Sequence, residues 1–318
     1  MEPVRHLIRL HRSSRSRLAV TAALTGLLIA LSAPAAPADD ADPPQPSTSP
    51  STSPSPSPTP STASTPTTPA VPAIPALPAR GDAYMGMGVL THDGSLPDTD
   101  TAPSDTVSRA TQTEGVDVSS YQGNVDWKAL WGDGVKWAYT KATEGTYYTN
   151  PYFTQQYDGS YDAGLIRGSY HFATPDTTGG AKQADYFVDH GGGWSKDGKT
   201  LPGVLDIEWN PYGDACYGKS KSGMVTWVRD FLNRYKARTG RAAVVYTATS
   251  WWTQCTGNSG AFGATNPLWI ARYASTPGTL PSGWSAYTMW QYTSTGKRVG
   301  DHDRFNGTTT QLKDFATG

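Results

Sequence analysis

Gly203-Val204-Leu205-Asp206-Ile207-Glu208-Trp209 is a short apolar run that carries two carboxylates two residues apart. Its β-branched and aliphatic residues mark a buried strand, with Asp206 and Glu208 on one face and Ile207 turned toward the surrounding helices, because strand side chains alternate. Two like acids held together on a buried strand repel each other, which raises one pKa into the range of a general acid. The bland alternative is a partly exposed pair held by arginine or backbone donors; Val204, Leu205 and Ile207 argue against that exposure.

Outward from this strand, short β-like runs alternate with helical segments, the pattern of βα units around a parallel sheet. The other strand candidates are 115–119, 135–141, 166–173, 242–248, 268–274, 287–292 and 298–304. Eight strands suggest a closed barrel. Helices are expected at 127–131, 151–163, 180–190 and 221–239, the last with Val225, Val228, Phe231, Leu232 and Tyr235 at helical spacing and Gly240 as its stop. After the fifth strand the gaps narrow, and 267–304 leaves little room for full helices between strands, so the expected fold is α/β, a TIM-like barrel irregular in its last third. An open doubly wound sheet competes less well, since neither GxGxxG nor GxxxxGK[ST] is present.

In a barrel the functional groups sit at the C-terminal strand ends. Asp117, His171, the Asp206/Glu208 pair, Tyr246, Trp290-Gln291 and Asp303 all fall at such ends. Glu144 and Glu208 are the only glutamates from Gly115 onward, so a glutamic acid proton donor has few candidates.

The 318 residues divide into compositions in series. Thirteen of the 25 prolines lie between Pro43 and Pro78, while all 11 tryptophans, both cysteines and every lysine lie beyond Gly115. Residues 1–38 read as a secretory signal: Arg5, Arg9, Arg12, Arg15 and Arg17 precede the apolar run 18–31, followed by small-x-small sites at Ala33-Pro34-Ala35 and Ala36-Pro37-Ala38. That run is shorter than the roughly 20 residues that span a bilayer. Residues 39–79 are a Pro/Ser/Thr-rich linker, which cannot bury enough apolar surface to order itself. Residues 80–114 hold apolar residues without a sustained period and are expected to form a weakly ordered leader or propeptide, with a clasp on the domain and plain disorder as the other readings. The barrel is placed at 115–318, and the expected product is an extracellular monomer.

From Gly115 onward there are 19 Lys plus Arg against 17 Asp plus Glu. That near balance argues against a partner bound by phosphate neutralisation. GxSxG and HExxH are absent, and His171, His190 and His302 are too scattered for a local metal motif, so neither metal nor cofactor is expected. In an exported chain Cys216 and Cys255 are expected to pair, tying the loop after the Asp206 strand to the one after the Tyr246 strand. Trp137, Trp227 and Trp269 are expected in the core, whereas Tyr147-Tyr148, Tyr212, Trp251-Trp252 and Tyr292 lie near loops and suit a groove for sugar rings. A carboxylate pair under an aromatic mouth reads as a glycosidase.

Gly115-Val116-Asp117-Val118-Ser119 with Tyr121-Gln122, Lys141-Ala142-Thr143-Glu144-Gly145, Gly168-Ser169-Tyr170-His171-Phe172, Asp206-Ile207-Glu208 and Met289-Trp290-Gln291-Tyr292 together resemble glycoside hydrolase family 25, the Chalaropsis-type lysozymes. The resemblance runs from about Gly115 to the C-terminus. It implies five βα units followed by three further strands, and hydrolysis of the β-1,4 bond between N-acetylmuramic acid and N-acetylglucosamine in peptidoglycan, with net retention. It implies Glu208 as proton donor, Asp206 as second carboxylate, and Asp117 and Asp303 as further acids, with Asp301 the rival of Asp303. Tyr170, His171, Tyr246, Trp290, Gln291, Glu144 and Tyr121 would line the substrate site. A wall-binding module without activity and a chitin-cleaving barrel are the competing readings.

Overall fold

A computed structural model describes residues 77–93 and 112–318. The expected signal, the expected linker up to residue 76 and residues 94–111 lie outside the described residues. Eight strands close into a ring: β1 (Thr113–Val118), β2 (Trp137–Glu144), β4 (Ile166–Phe172), β5 (Val204–Asp206), β6 (Val244–Thr247), β7 (Leu268–Ala271), β8 (Met289–Thr293) and β9 (Asp301–Phe305). Parallel pairing of β1 with β2 completes the closure, and only β9 runs antiparallel to both neighbours. A two-residue strand, β3 (Tyr148–Thr149), folds back on β2 as an extra ninth strand.

The strands are covered on both sides, so their residues are buried almost without alternation, as parallel sheets require. All eight residues of β2 are buried, Lys141 and Glu144 among them. Aromatic rings fill the barrel: Trp269 packs on Trp137, Tyr139 and Tyr246 at centroid distances of 5.6, 5.0 and 5.6 Å. Two glycines make room for them. A Cβ on Gly115 would lie 2.1 Å from the Trp137 ring, and one on Gly168 2.2 Å from Tyr139.

Around the ring lie α2 (Trp127–Gly132), α3 (Phe153–Asp162), α4 (Gly180–Asp189) and α5 (Lys221–Thr239), close to the expected spans. The Ser220 side chain caps α5 by accepting from the Gly223 N–H, and Gly240 ends it in left-handed conformation at φ 76°. Among the described residues no helix lies between the strands of 267–304, as expected; α6 (Thr249–Thr256) precedes that stretch and α7 (Thr309–Thr317) follows it. Strand β5 is shorter than expected. After the Ile207 N–H bonds the Tyr246 carbonyl, the chain leaves the ladder for a loop, so Glu208 stands just past the strand end. That loop is held as expected: Cys216 and Cys255 are disulfide-bonded, with Cα atoms 5.3 Å apart.

The described part of the 80–114 stretch is a clasp. It includes a helix, α1 (Met87–His92), and its Ala83, Met85 and Val89 are buried against the barrel mouth.

Candidate active site

Parallel strands deliver their C-terminal residues to one rim, and there a group of buried acids converges: Asp117 from β1, Asp206 and Glu208 from β5 and its exit, and Asp301 and Asp303 from β9. Antiparallel register sets Asp117 opposite Asp301 and Gly115 opposite Asp303. Asp301 therefore stands level with Asp117 at the mouth, and Asp303 one layer deeper. Gln291 on β8 bridges the upper layer. Its Nε2 donates to Asp117 Oδ2 at 2.8 Å and Asp301 Oδ2 at 3.2 Å, while its Oε1 accepts from the hydroxyls of Tyr246 at 2.6 Å and Tyr273 at 3.0 Å.

So many acids in a buried space cannot all ionise. Burial pushes Asp117 up to about 7, against the Gln291 hydrogen bond that favours its charge. Glu208 is pushed up to about 8 by burial, against two backbone N–H donors, from Gly86 at 2.6 Å and Gly88 at 2.8 Å. Asp206 is raised well above the usual carboxylate range by burial and then by the Glu208 and Asp117 charges. Asp301 and Asp303 are raised too, by burial first and by the Asp117 charge second. Neither oxygen of Asp206 or Asp303 has a hydrogen-bond partner among the described residues. The arrangement is a set of carboxyls sharing fewer charges than members, suited to giving and receiving a proton near neutral pH.

Several residues singled out from sequence meet at this rim. The Tyr170 hydroxyl reaches it and accepts from the Met85 N–H at 3.4 Å, and the Tyr246 ring stands inside the barrel. Glu144 accepts from the hydroxyls of Tyr147 at 2.7 Å and Tyr212 at 2.6 Å and pairs with Lys141 at 2.6 Å. Tyr121 is 81% exposed and, with Tyr84, Leu90, Gln122, Arg298 and Asp301, borders a cleft of about 1030 Å³.

Others are placed elsewhere. His171 alternates with Tyr170 and so points away from the mouth; it bonds Thr143 and Gln183 and packs on Phe187 and Phe231 from α4 and α5. Burial holds its imidazole down at about 4, so it is neutral. Trp290 likewise alternates with Gln291; its indole donates to the Arg272 carbonyl at 2.8 Å and its ring packs near Tyr287 and Tyr292. Trp251 and Trp252, expected in the groove, are fully buried beneath it. Trp251 donates to the Ala215 carbonyl at 3.0 Å, and Trp252 meets Phe262 and Trp284 edge to face. Tyr292 bonds Glu114 at 3.0 Å and lies under the Arg304 guanidinium. Trp137, Trp227 and Trp269 are core residues as expected.

Sequence reasoning missed Lys141 and Tyr273 as site residues. Lys141 is a fully buried lysine whose ammonium bonds Glu144 and the carbonyls of Gly81 and Ala83. Burial lowers its pKa, against the Glu144 charge. Its place in a barrel strand beside Glu144, three residues on, is the signal that could have found it, because lysine is almost never fully buried unless paired.

Asp301 and Asp303 lie at the start and middle of antiparallel β9, not at a C-terminal strand end as expected of Asp303. An irregular barrel that gathers protonatable acids at its mouth in this way is the architecture of a glycoside hydrolase. Residues 116–301 match the model of the family described as glycosyl hydrolases family 25, and the chain belongs to that family. Among curated relatives, lysozyme M1 of Streptomyces globisporus is 47% identical over 240 residues, covering 73% of this chain and 80% of that protein. The N,O-diacetylmuramidase of a Chalaropsis species is 51% identical over 209 residues, 64% of this chain and 99% of that protein. Among solved structures, a muramidase from Acremonium alcalophilum is 51% identical with a TM-score of 0.64, covering 65% of this chain and 99% of that one.

Proposed function

We propose that this chain is an exported muramidase that cleaves the β-1,4 bond between N-acetylmuramic acid and N-acetylglucosamine in peptidoglycan. Its relatives, a lysozyme and an N,O-diacetylmuramidase, support the substrate, and the basic, apolar, small-residue N-terminus supports export. The observation that carries the reading is Glu208, a buried carboxyl at the barrel mouth pushed up to about 8, so that it holds a proton at neutral pH. Glu208 protonates the leaving glycosidic oxygen and then takes a proton from the incoming water.

Asp206 has the complementary property. It lies beside the donor with no protein hydrogen-bond donor of its own, so it is open to a donor on the substrate, and the acetamido N–H of the muramic acid is such a group. With residues 80–93 across the mouth Asp206 is protonated, chiefly by burial. In an open, hydrated cleft and accepting from that amide it ionises. Orienting the amide then lets its oxygen attack the anomeric carbon while the carboxylate offsets the charge of the oxazolinium ion. Direct attack by Asp206 needs the same two residues, and both routes give net retention. Asp117 and Asp301, held by Gln291, and the deeper Asp303 share fewer charges than members, and the charge they do carry lies near where the oxocarbenium-like charge develops.

The test is digestion of purified peptidoglycan by wild type and Glu208→Gln, with identification of the new reducing end. Muramic acid is expected at that end, with loss of turnover in the variant. N-acetylglucosamine at the new end, or undiminished turnover in the variant, would remove the assignment. NMR of the first-formed anomer decides the stereochemistry: an initial α-anomer from the β-linked substrate would exclude both retaining routes.

A further inference from the structure

Resting on the reading of Glu208 as proton donor, we propose that residues 80–93 are an autoinhibitory plug, so that the chain is a zymogen activated by cleavage between this segment and the barrel. The segment lies across the mouth and engages the groups the reaction needs. Both oxygens of Glu208 are taken, one by the Gly86 N–H and one by the Gly88 N–H. Gln291 donates to the Met85 carbonyl at 3.3 Å, and the Tyr212 hydroxyl accepts from the Ala83 N–H at 3.2 Å. Lys141 holds the carbonyls of Gly81 and Ala83. At the two ends, Arg80 pairs with Asp176 at 2.8 Å, the His92 ring stacks on Trp209 at 4.5 Å, and Asp93 accepts from Ser250 at 2.8 Å. No oxygen of the proton donor is left for a glycosidic bond, and no sugar fits where Met85 and Val89 are buried.

The fit is specific to this sequence. Gly86 has φ +88°, and a Cβ there would fall 2.1 Å from the Tyr273 hydroxyl oxygen. A Cβ on Gly88 would fall 2.5 Å from Trp209 Cβ and 2.6 Å from Glu208 Oε2. The two glycines of Gly86-Met87-Gly88 thus let two backbone amides come within hydrogen-bond reach of the buried acid where a side chain would collide. The relatives divide in a way that agrees. The alignment with Streptomyces globisporus lysozyme M1 covers 73% of this chain, about 232 residues, more than the 207 from Gln112 to Gly318, so it extends into the segment before the barrel. The Chalaropsis enzyme is matched over 99% of its length by 64% of this chain, which the barrel alone accounts for.

Tethering keeps the plug at an effective concentration of the order of millimolar. When water adds across one peptide bond between Asp93 and Gln112, catalysed by a peptidase, a carboxylate forms on the plug side and an ammonium on the barrel side. The plug then becomes a separate peptide that dilution removes.

The test uses the full chain with a specific protease recognition sequence inserted between Asp93 and Gln112, and uncut Gly88→Val and Gly86→Ala in the same background. Release of reducing ends from peptidoglycan and amide exchange of residues 81–93 are measured together. The intact chain is expected to turn over at least about tenfold more slowly than the cut and diluted one. Uncut Gly88→Val should match the cut protein, with the 81–93 amides protected in wild type and unprotected in the variant. Equal rates for intact and cut wild type would overturn the proposal, as would free-peptide exchange of 81–93 in wild type. If no form cleaves peptidoglycan, the muramidase reading fails and exchange alone decides the plug: protection lost in Gly88→Val upholds it, and equal exchange in both overturns it.

Discussion

Asp206→Asn should make the protein more stable while making it inactive, and the gain should depend on pH. In the unfolded chain an aspartate is ionised above about pH 4. In the folded chain both oxygens of Asp206 are buried without a hydrogen bond and face the Glu208 and Asp117 charges, so the carboxyl holds its proton to a much higher pH. Where the native state binds one proton more than the unfolded state, stability falls with rising pH by about 1.4 kcal/mol per unit. The stability from this raised group is present below the unfolded pKa and is lost as pH rises toward the folded one. Asparagine cannot ionise, so it removes that loss. The variant should therefore gain on wild type as pH rises above about 4, by at most about 1.4 kcal/mol for each pH unit over which the folded carboxyl keeps its proton, and its Tm should rise relative to wild type over the same range. Scanning calorimetry of the uncut chain from pH 4 to 8 measures the gap, with little difference expected at pH 4. A gap that does not grow between pH 5 and 7, or a variant less stable than wild type at pH 7, would refute the protonated, donor-free Asp206. Turnover on peptidoglycan should fall severely in the same variant.

Glu208→Gln should lower turnover by about 10²- to 10⁴-fold, the worth of a positioned general acid, while sedimentation with insoluble walls shows binding by the cut protein retained. The proton donor must be protonated, so activity should fall as pH rises through its pKa. Glu208 stands at about 8 with the plug seated; water entering after cleavage reduces the burial that raises it, so the alkaline limb of kcat for the cut protein should lie below pH 8. Cys216→Ser with Cys255→Ser opens a loop of 39 residues' separation and should cost about 2 to 4 kcal/mol in urea unfolding, and thiol titration of the unfolded, unreduced wild type should find no free thiol. Gly115→Ala should destabilise by about 1 to 3 kcal/mol, because its Cβ meets the Trp137 ring within the packed barrel, and thermal melts would show whether that ring yields.

Much of this protein is legible in local sequence. Strands such as β6 (Val244–Thr247) and β7 (Leu268–Ala271) are short runs rich in β-branched and apolar residues bounded by turn formers, the alternation of such runs with helical segments locates the barrel, and α5 can be delimited between Ser220 and Gly240. Asp206 and Glu208 betray themselves as acids in an apolar run, and Cys216 and Cys255 by being the only two cysteines. Tertiary structure decides the rest, because it depends on partners that chain order does not reveal. Whether Tyr170 or His171 faces the mouth is a matter of strand phase, and a shift of one residue exchanges them. Asp301 rather than Asp303 stands level with Asp117 because β9 returns antiparallel, a register set across the barrel seam. Trp251 and Trp252 sit beside a loop in sequence yet go to the core, because α6 turns them toward Phe262 and Trp284. Residues 80–93 show no period because their bonds run to Glu144, Tyr170, Glu208 and Gln291, far along the chain. A segment shaped by a site carries the site's pattern instead of its own, and only the folded barrel makes that pattern visible.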